Sequence, residues 1–247
     1  MEKVIDFDLC EEVVDKNHLL EIEELYQSGM PLSDEDVDNL LRSLSFIVRQ
    51  RIADHEGKDM KEYSYSYKCD LAQSMITYYL NGLGVQTYPA NTNEVIDGVC
   101  GHSLVVATIH TIEGDKTYLI DPTYLQFFEK ENCDPSKFMI IQNKVCVSPD
   151  PGYFILQNHQ ENTVLPLLVD GYAELTEDVA KAYGDSFFQT KQGIDPTQIK
   201  YYVATGSDYI RWFQKNPCHL SKSEEELRGM NLWIDFHSNQ DHSEYSF

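Results

Sequence analysis

The sequence predicts an α+β protein in which helices pack on an antiparallel sheet. Apolar residues recur with helical spacing over residues 37–52 and again over residues 72–83. Two β-branched runs follow, at residues 103–109 and 117–120, and a short polar turn separates them. Two such runs around a turn are typical of a β-hairpin, so helices and an antiparallel sheet are both expected.

The first 60 residues are expected to form a helical N-terminal lobe. A short helix over residues 19–26 ends at Gly29, and Ser33 is the predicted N-cap of a second helix with an acidic first turn. This second helix extends to about residue 54 and carries one apolar stripe. The stripe consists of Val37, Leu40, Leu41, Leu44, Ile47, Val48 and Ile52.

A third helix is expected over residues 69–83, with Cys69 at its start. Its buried face has i, i+3, i+4, i+7 spacing, and Gly84 is a good candidate for the left-handed residue that ends it. A thiol at a helix N-terminus has a lowered pKa, because the unpaired N–H groups and the helix dipole stabilise the thiolate. The members of the face are Ala72, Met75, Ile76, Tyr79, Leu80 and Leu83.

The predicted hairpin brings a histidine and a carboxylate together. His102 precedes the first strand and Asp121 follows the second, with the turn expected at residues 113–116. Antiparallel pairing around this turn places both at the same end of the hairpin, within hydrogen-bonding reach. The carboxylate can then orient the imidazole, while the other ring nitrogen faces a thiol. A thiol, a base and an orienting acid are the parts of a thiol acyl-transfer site.

The chain resembles the transglutaminase-like superfamily, which belongs to the broader papain-like fold. The resemblance covers roughly residues 65–125 and is carried by Cys69, Ala72, Leu83-Gly84-Val85, His102 and Asp121-Pro122-Thr123. It implies that Cys69 is the nucleophile, His102 the general base and Asp121 the orienting carboxylate. Where many members have Gly or Trp beside the cysteine, this chain has lysine and aspartate.

The chemistry implied is a two-step acyl transfer through a Cys69 thioester, passed to water or to an amine. Deamidation and transamidation of protein glutamine side chains, the reactions of a protein glutamine deamidase or transglutaminase, are favoured. The alternatives are a cysteine peptidase, an amide-forming biosynthetic enzyme, and a binding module that has kept the fold without catalysis. The backbone N–H of Cys69 is the expected first oxyanion donor. Gln50, Tyr67 and Asn91 are candidates for the second donor or for substrate contacts.

Composition limits the partners. The net charge is −22, with 41 acidic and 19 basic residues, so nucleic acid, anionic membranes and coenzyme A are disfavoured. Basic proteins, peptides or amines are the most compatible substrates. Neither a cofactor nor a metal is expected, although Asp235-Phe236-His237 and Asp241-His242 carry metal-binding residue types. The N-terminus resembles no Sec signal peptide, so we expect a cytoplasmic location or export by a specialised secretion system.

The six cysteines are scattered without a CxxC pair, which argues against a zinc site or a disulfide framework. Cys100, two residues before His102, is a weaker alternative nucleophile because no helix dipole supports it. One transglutaminase-like domain is expected over residues 1–247, with the catalytic core at 61–160 and a C-terminal elaboration at 161–247 that adds helices.

The remaining segments have weaker patterns. The expectations are an extended approach at residues 60–67, a loop at 89–101, strands of the same sheet at 138–141 and 153–156 with a turn at 148–152, and helices at 175–189 and 209–214.

Overall fold

A computed structural model describes residues 16–60, 65, 67–91, 102–124, 139–141, 145–147, 154–158, 163–166, 168, 170–176, 179 and 218–235. The protein is α+β, and helices pack on a four-stranded antiparallel sheet, as the sequence predicts. In the part of the chain covered by these ranges, no helix is long and apolar enough to cross a membrane.

The helices are α1 (Lys16–Gln27), α2 (Asp34–His55), α3 (Cys69–Leu83) and the short α4 (Glu224–Gly229). The predicted N-cap of α2 is confirmed. The Asp36 N–H donates to Ser33 Oγ at 3.1 Å, and the Ser33 N–H donates to the Asp36 carboxylate at 3.1 Å. This reciprocal pair gives hydrogen-bond acceptors to two backbone N–H groups at the start of α2, and it fixes the residue at which the helix begins.

Helix α3 has the predicted limits. Gly84 ends it in the left-handed region, at φ 90°, which only glycine adopts without steric cost. One turn after Cys69, the buried Gln73 side chain donates to the carbonyls of Ala90 and Leu104, at 2.7 and 2.6 Å. These two hydrogen bonds fasten the start of α3 to two neighbouring strands.

The strands are β1 (Gln86–Asn91), β2 (Ser103–Thr111), β3 (Gly114–Ile120), β4 (Met139–Ile141), β5 (Val145–Val147), β6 (Phe154–Asn158), β7 (Thr163–Pro166) and β8 (Tyr172–Glu174). The central sheet has the order β1-β2-β3-β8. Its hairpin register pairs Val105 with Ile120, so the predicted placement of His102 and Asp121 at the same end of the hairpin is confirmed. A buried apolar core fills the space between α1, α2, α3 and this sheet.

Three expectations about the remaining segments were wrong. Residues 89–91 lie in β1 rather than in a loop, because β1 is at the edge of the sheet, where a proline such as Pro89 is tolerated. The strands near residues 140 and 155 belong to a second sheet, of order β4-β5-β6-β7, with β5 between them. Tyr67 is not extended, since its φ is 64° and it lies in the turn before α3.

The C-terminal elaboration contributes β8 to the central sheet, where it pairs with β3. The predicted helix at 175–189 lies almost wholly outside the described residues, and the helix at 209–214 and the turn at 148–152 lie entirely outside them. Short α4 is the helix described in this region, and its Arg228 stacks on the Trp233 ring at 4.2 Å.

Candidate active site

Cys69 is the first residue of α3 and is half-buried. The preceding Lys68 side chain does not cap the helix; its ammonium pairs instead with Glu56 at 2.5 Å. The first N–H groups of a helix have no acceptors within the helix, and they carry its positive dipole end. Cys69 therefore occupies the position that the sequence predicts, and its N–H is a suitable oxyanion donor.

His102 and Asp121 form a buried ion pair at one end of the hairpin. His102 Nε2 donates to Asp121 Oδ2 at 2.5 Å, and the two side chains are 6% and 1% exposed. Burial alone lowers the pKa of the imidazole. The Asp121 carboxylate outweighs burial and raises the pKa of His102 to about 10, with a smaller contribution from Cys69. The imidazole is therefore charged at neutral pH.

Asp121 is held on its other side by the turn that follows it. Asp121 Oδ1 accepts hydrogen bonds from the Thr123 backbone N–H at 3.1 Å and from its hydroxyl at 2.8 Å. This is the arrangement of an Asx turn, in which an aspartate binds the backbone two residues on. Both carboxylate oxygens are thus engaged, and only Oδ2 faces the imidazole.

Cys69 completes the cluster through a hydrogen bond with the His102 imidazole. Burial raises the pKa of the Cys69 thiol. This effect is outweighed by a hydrogen bond from His102, by the positive charge of the His102 ring and by a hydrogen bond from the Ser103 backbone N–H. The pKa of Cys69 is consequently lowered, although the Asp121 charge opposes this effect. Since Nε2 is engaged by Asp121, the other ring nitrogen, Nδ1, is the one that faces the sulfur. Thiol, imidazole and carboxylate are thus aligned in the predicted order.

The three oxyanion and substrate candidates have different positions. Gln50 lies half-buried on α2. Asn91, at the end of β1, donates from Nδ2 to Ser103 Oγ at 2.9 Å. Asn91 thus contacts a residue whose N–H reaches the thiol. Their roles as oxyanion donors stay predictions.

Tyr67 lies two residues before Cys69 and is 91% exposed. A tyrosine at φ 64° is in a region that costs free energy for any residue with a Cβ. An exposed aromatic ring held in this conformation beside the nucleophile is well placed to contact a substrate. Its role in substrate binding also stays a prediction.

Several residues of the site were not predicted. The Ser103 N–H and the Thr123 hydroxyl contribute directly, and the sequence carries a signal only for Thr123, in the spacing Asp-x-Thr. Arg49 and Tyr65 contact the segments on which Cys69 and Asp121 lie. Their hydrogen bonds involve backbone carbonyls, which side-chain patterns do not reveal.

A metal site and an alternative nucleophilic cysteine are the other chemistries that the residue types allow. Within the described ranges, no cluster of three or more histidine, cysteine, aspartate or glutamate side chains is arranged to hold a metal. Cys100, His237 and the Asp241-His242 pair lie outside those ranges. Cys218 is half-buried, and its thiol donates to the His219 carbonyl at 3.3 Å. It lines an open cleft of about 540 Å³ whose described lining includes neither Cys69 nor His102.

Comparison with known proteins gives no assignment: no protein-family model, no curated protein and no solved structure matches the chain.

Proposed function

We propose that this protein is a thiol-dependent acyl-transfer enzyme of the transglutaminase-like type, with a papain-like arrangement of its catalytic residues. The observation that carries the proposal is the line of contacts from Cys69 through His102 to Asp121. A buried ion pair is expensive to maintain, because both charges are desolvated. Here its charged imidazole meets a half-buried thiol at a helix N-terminus, where it serves to hold a thiolate.

The reaction begins when the Cys69 thiolate attacks an amide or thioester carbonyl. The electrons of the C=O bond move to oxygen, and the N–H groups at the start of α3 stabilise this oxyanion. His102 then donates its proton to the departing amine or thiol, and a Cys69 thioester remains. In the second step neutral His102 removes a proton from water or an amine, which attacks the thioester and releases Cys69.

The favoured substrate is a glutamine side chain of a protein or peptide, which gives deamidation with water and transamidation with an amine. Support for a protein or amine partner comes from the charge of −22, since basic surfaces approach such a chain readily. The exposed Tyr67 ring next to the nucleophile supports a substrate that docks on the surface.

Acylation by an activated ester tests the proposal without a known substrate. Incubation with p-nitrophenyl acetate should release nitrophenol in a burst and add about 42 Da to the peptide containing Cys69, as an acetyl thioester. His102→Gln should remove the burst, and the matched control Cys218→Ala should retain it. If Cys69 acetylates no faster than Cys218 in the same protein, the acyl-transfer proposal is wrong.

The natural reaction can then be read from mass changes in a cell lysate. The active protein and Cys69→Ala are each added to a lysate with a biotin-labelled primary amine. A gain of about 1 Da on a glutamine, dependent on Cys69, indicates deamidation, and amine incorporation indicates transamidation. Cleaved peptides would instead favour the peptidase alternative, and acetylation of Cys69 without any such change would favour small-molecule amide synthesis.

A further inference from the structure

Residue 49 of helix α2 contacts both of the chain segments that carry the catalytic residues. Its side chain reaches the segment after β3, where Asp121 lies, and its backbone carbonyl reaches the segment before α3, where Cys69 begins the helix. These two segments are about 50 residues apart in the sequence, yet both are attached to one position of one helix.

The contact on the carboxylate side is made by the guanidinium group. Arg49 is 7% exposed, and its Nε donates to the Pro122 carbonyl at 2.8 Å. The Asp121 N–H donates to the Gly171 carbonyl at 2.7 Å. The peptide unit before Asp121 and the one after Pro122 are therefore each fixed by a partner outside β3.

The packing around Arg49 leaves little freedom. Gly171 has φ +86°, and a Cβ added there would lie 2.7 Å from Ser45 Oγ and 3.0 Å from Arg49 Nη2. Burial raises the pKa of the Asp170 carboxyl, and the positive charges of Arg42 and Arg49 oppose this rise. Arg49 is thus confined by its neighbours and directed at Pro122.

The contact on the thiol side is made by a tyrosine. Tyr65 is 5% exposed, and its hydroxyl donates to the Arg49 carbonyl at 3.2 Å. The Tyr65 carbonyl accepts from the Lys68 N–H at 3.1 Å, which closes the turn leading into α3. The position of the Cys69 backbone is thereby tied to the same residue of α2 as the Asp121 turn.

We propose that Arg49 and Tyr65 are positioning residues, which set the separation of Cys69 and Asp121 by fastening both segments to one point of α2. This proposal rests on the proposed function for its catalytic meaning, but the alignment can be measured without turnover. Among the described residues, the titratable groups that act on His102 are Cys69 on α3 and Asp121 after β3. A shift of either segment therefore changes the titration of His102 or the reactivity of the thiol.

The test uses Arg49→Lys and Tyr65→Phe, with Arg51→Lys as the matched control. Arg51 is also on α2 and also donates to a backbone carbonyl, that of Trp233 at 2.6 Å, but on a segment that carries none of the catalytic residues. Lysine keeps the charge of arginine but lacks its fixed donor geometry. Phenylalanine removes only the hydroxyl group and keeps the ring that packs in the core, so that variant should fold.

Two readouts are needed: the titration midpoint of His102 by NMR of labelled histidine, and the rate of Cys69 alkylation by iodoacetamide. Arg49→Lys should lower the His102 midpoint by about one pH unit, because Asp121 moves away from the imidazole. Tyr65→Phe should slow Cys69 alkylation at pH 7 by about three- to tenfold. Arg51→Lys should match the parent protein in both measurements.

The positioning proposal is overturned if Tyr65→Phe and a folded Arg49→Lys both behave like Arg51→Lys. If Arg49→Lys does not fold, the alkylation rate of Tyr65→Phe decides alone. Failure of the proposed function gives a different result, since His102 of the parent protein would then titrate near the ordinary value for histidine, or Cys69 would not acetylate.

Discussion

Replacing Asp121 by asparagine should raise the pKa of Cys69 and slow its reaction with electrophiles. The substitution preserves the shape of the side chain but removes its charge. The pKa of His102 is about 10 in the intact site, mainly because of this carboxylate, which overcomes the effect of burial. Without the charge, burial should bring the pKa of His102 to the ordinary value of about 6.5 or below it.

The size of the effect follows from these values. At pH 7.5 a histidine of pKa about 10 is almost wholly charged, whereas one of pKa about 6.5 is only about one-tenth charged. The imidazolium is the main group that offsets burial of the thiol, so the pKa of Cys69 should rise in the variant. Since the charged fraction of His102 falls to about one-tenth at pH 7.5, the alkylation rate of Cys69 should fall by up to about tenfold.

The assay measures iodoacetamide alkylation of Cys69 between pH 5 and pH 10, followed by mass spectrometry of its peptide. Cys218 in the same digest reports the activity of the reagent, and its rate should be the same in both proteins. The role assigned to Asp121 is refuted if Cys69 of the parent protein already reacts with the pH profile of an ordinary thiol. It is equally refuted if Asp121→Asn leaves the Cys69 profile unchanged.

Four further outcomes are expected. Acyl transfer should have a bell-shaped pH profile: it rises as Cys69, whose pKa is lowered, loses its proton, and falls as His102 becomes neutral near pH 10. Gly171→Ala should lower the free energy of unfolding in urea by about 2 kcal/mol or more, because the added Cβ meets Ser45 at a positive φ; unchanged stability would contradict this packing. Tyr67→Gly should raise that free energy by up to about 1 kcal/mol by relieving its positive φ, and should raise KM if the ring contacts substrate. Anionic iodoacetate should alkylate Cys69 more slowly than neutral iodoacetamide at low salt, and the difference should shrink as salt screens the acidic surface; a salt-independent ratio would show that the net charge does not act at the site.

The helices and the hairpin were predictable because their signals are local. The periodicity of α3 and Gly84 are contained within about 16 residues, and the β2–β3 hairpin joins neighbouring runs through one turn. The pairing of β8 with β3 was not predictable, because it joins residues more than 50 positions apart and β8 has only three residues. Strand β1 was missed for another reason: polar residues and Pro89 interrupt it, which an edge strand tolerates.

The catalytic candidates were predictable because each lies where an element begins or ends. Cys69 begins α3, His102 precedes β2 and Asp121 follows β3, so element limits alone suggested their convergence. The supporting residues have no such signal. The Ser103 N–H and the carbonyls of Arg49 and Pro122 are backbone groups, and every residue except proline carries the same donor and acceptor.

Because the whole chain carries a large negative charge, a thiolate at Cys69 needs stabilising groups close to the sulfur. A thiolate at Cys69 adds another negative charge to a chain that already carries −22, and Asp121 opposes it from close by. Its stabilisation must therefore come from groups in contact with the sulfur: the charged His102 ring, the Ser103 N–H and the start of α3. The negative charge of Asp121 raises the pKa of Cys69 directly. Asp121 also keeps His102 charged, and the charge of His102 lowers the pKa of Cys69. The direct effect of the Asp121 charge on the pKa of Cys69 is smaller than the effect of the His102 imidazolium. The carboxylate therefore favours the thiolate only while His102 lies between it and the sulfur. For this reason the order of the three groups in space decides whether Cys69 ionises.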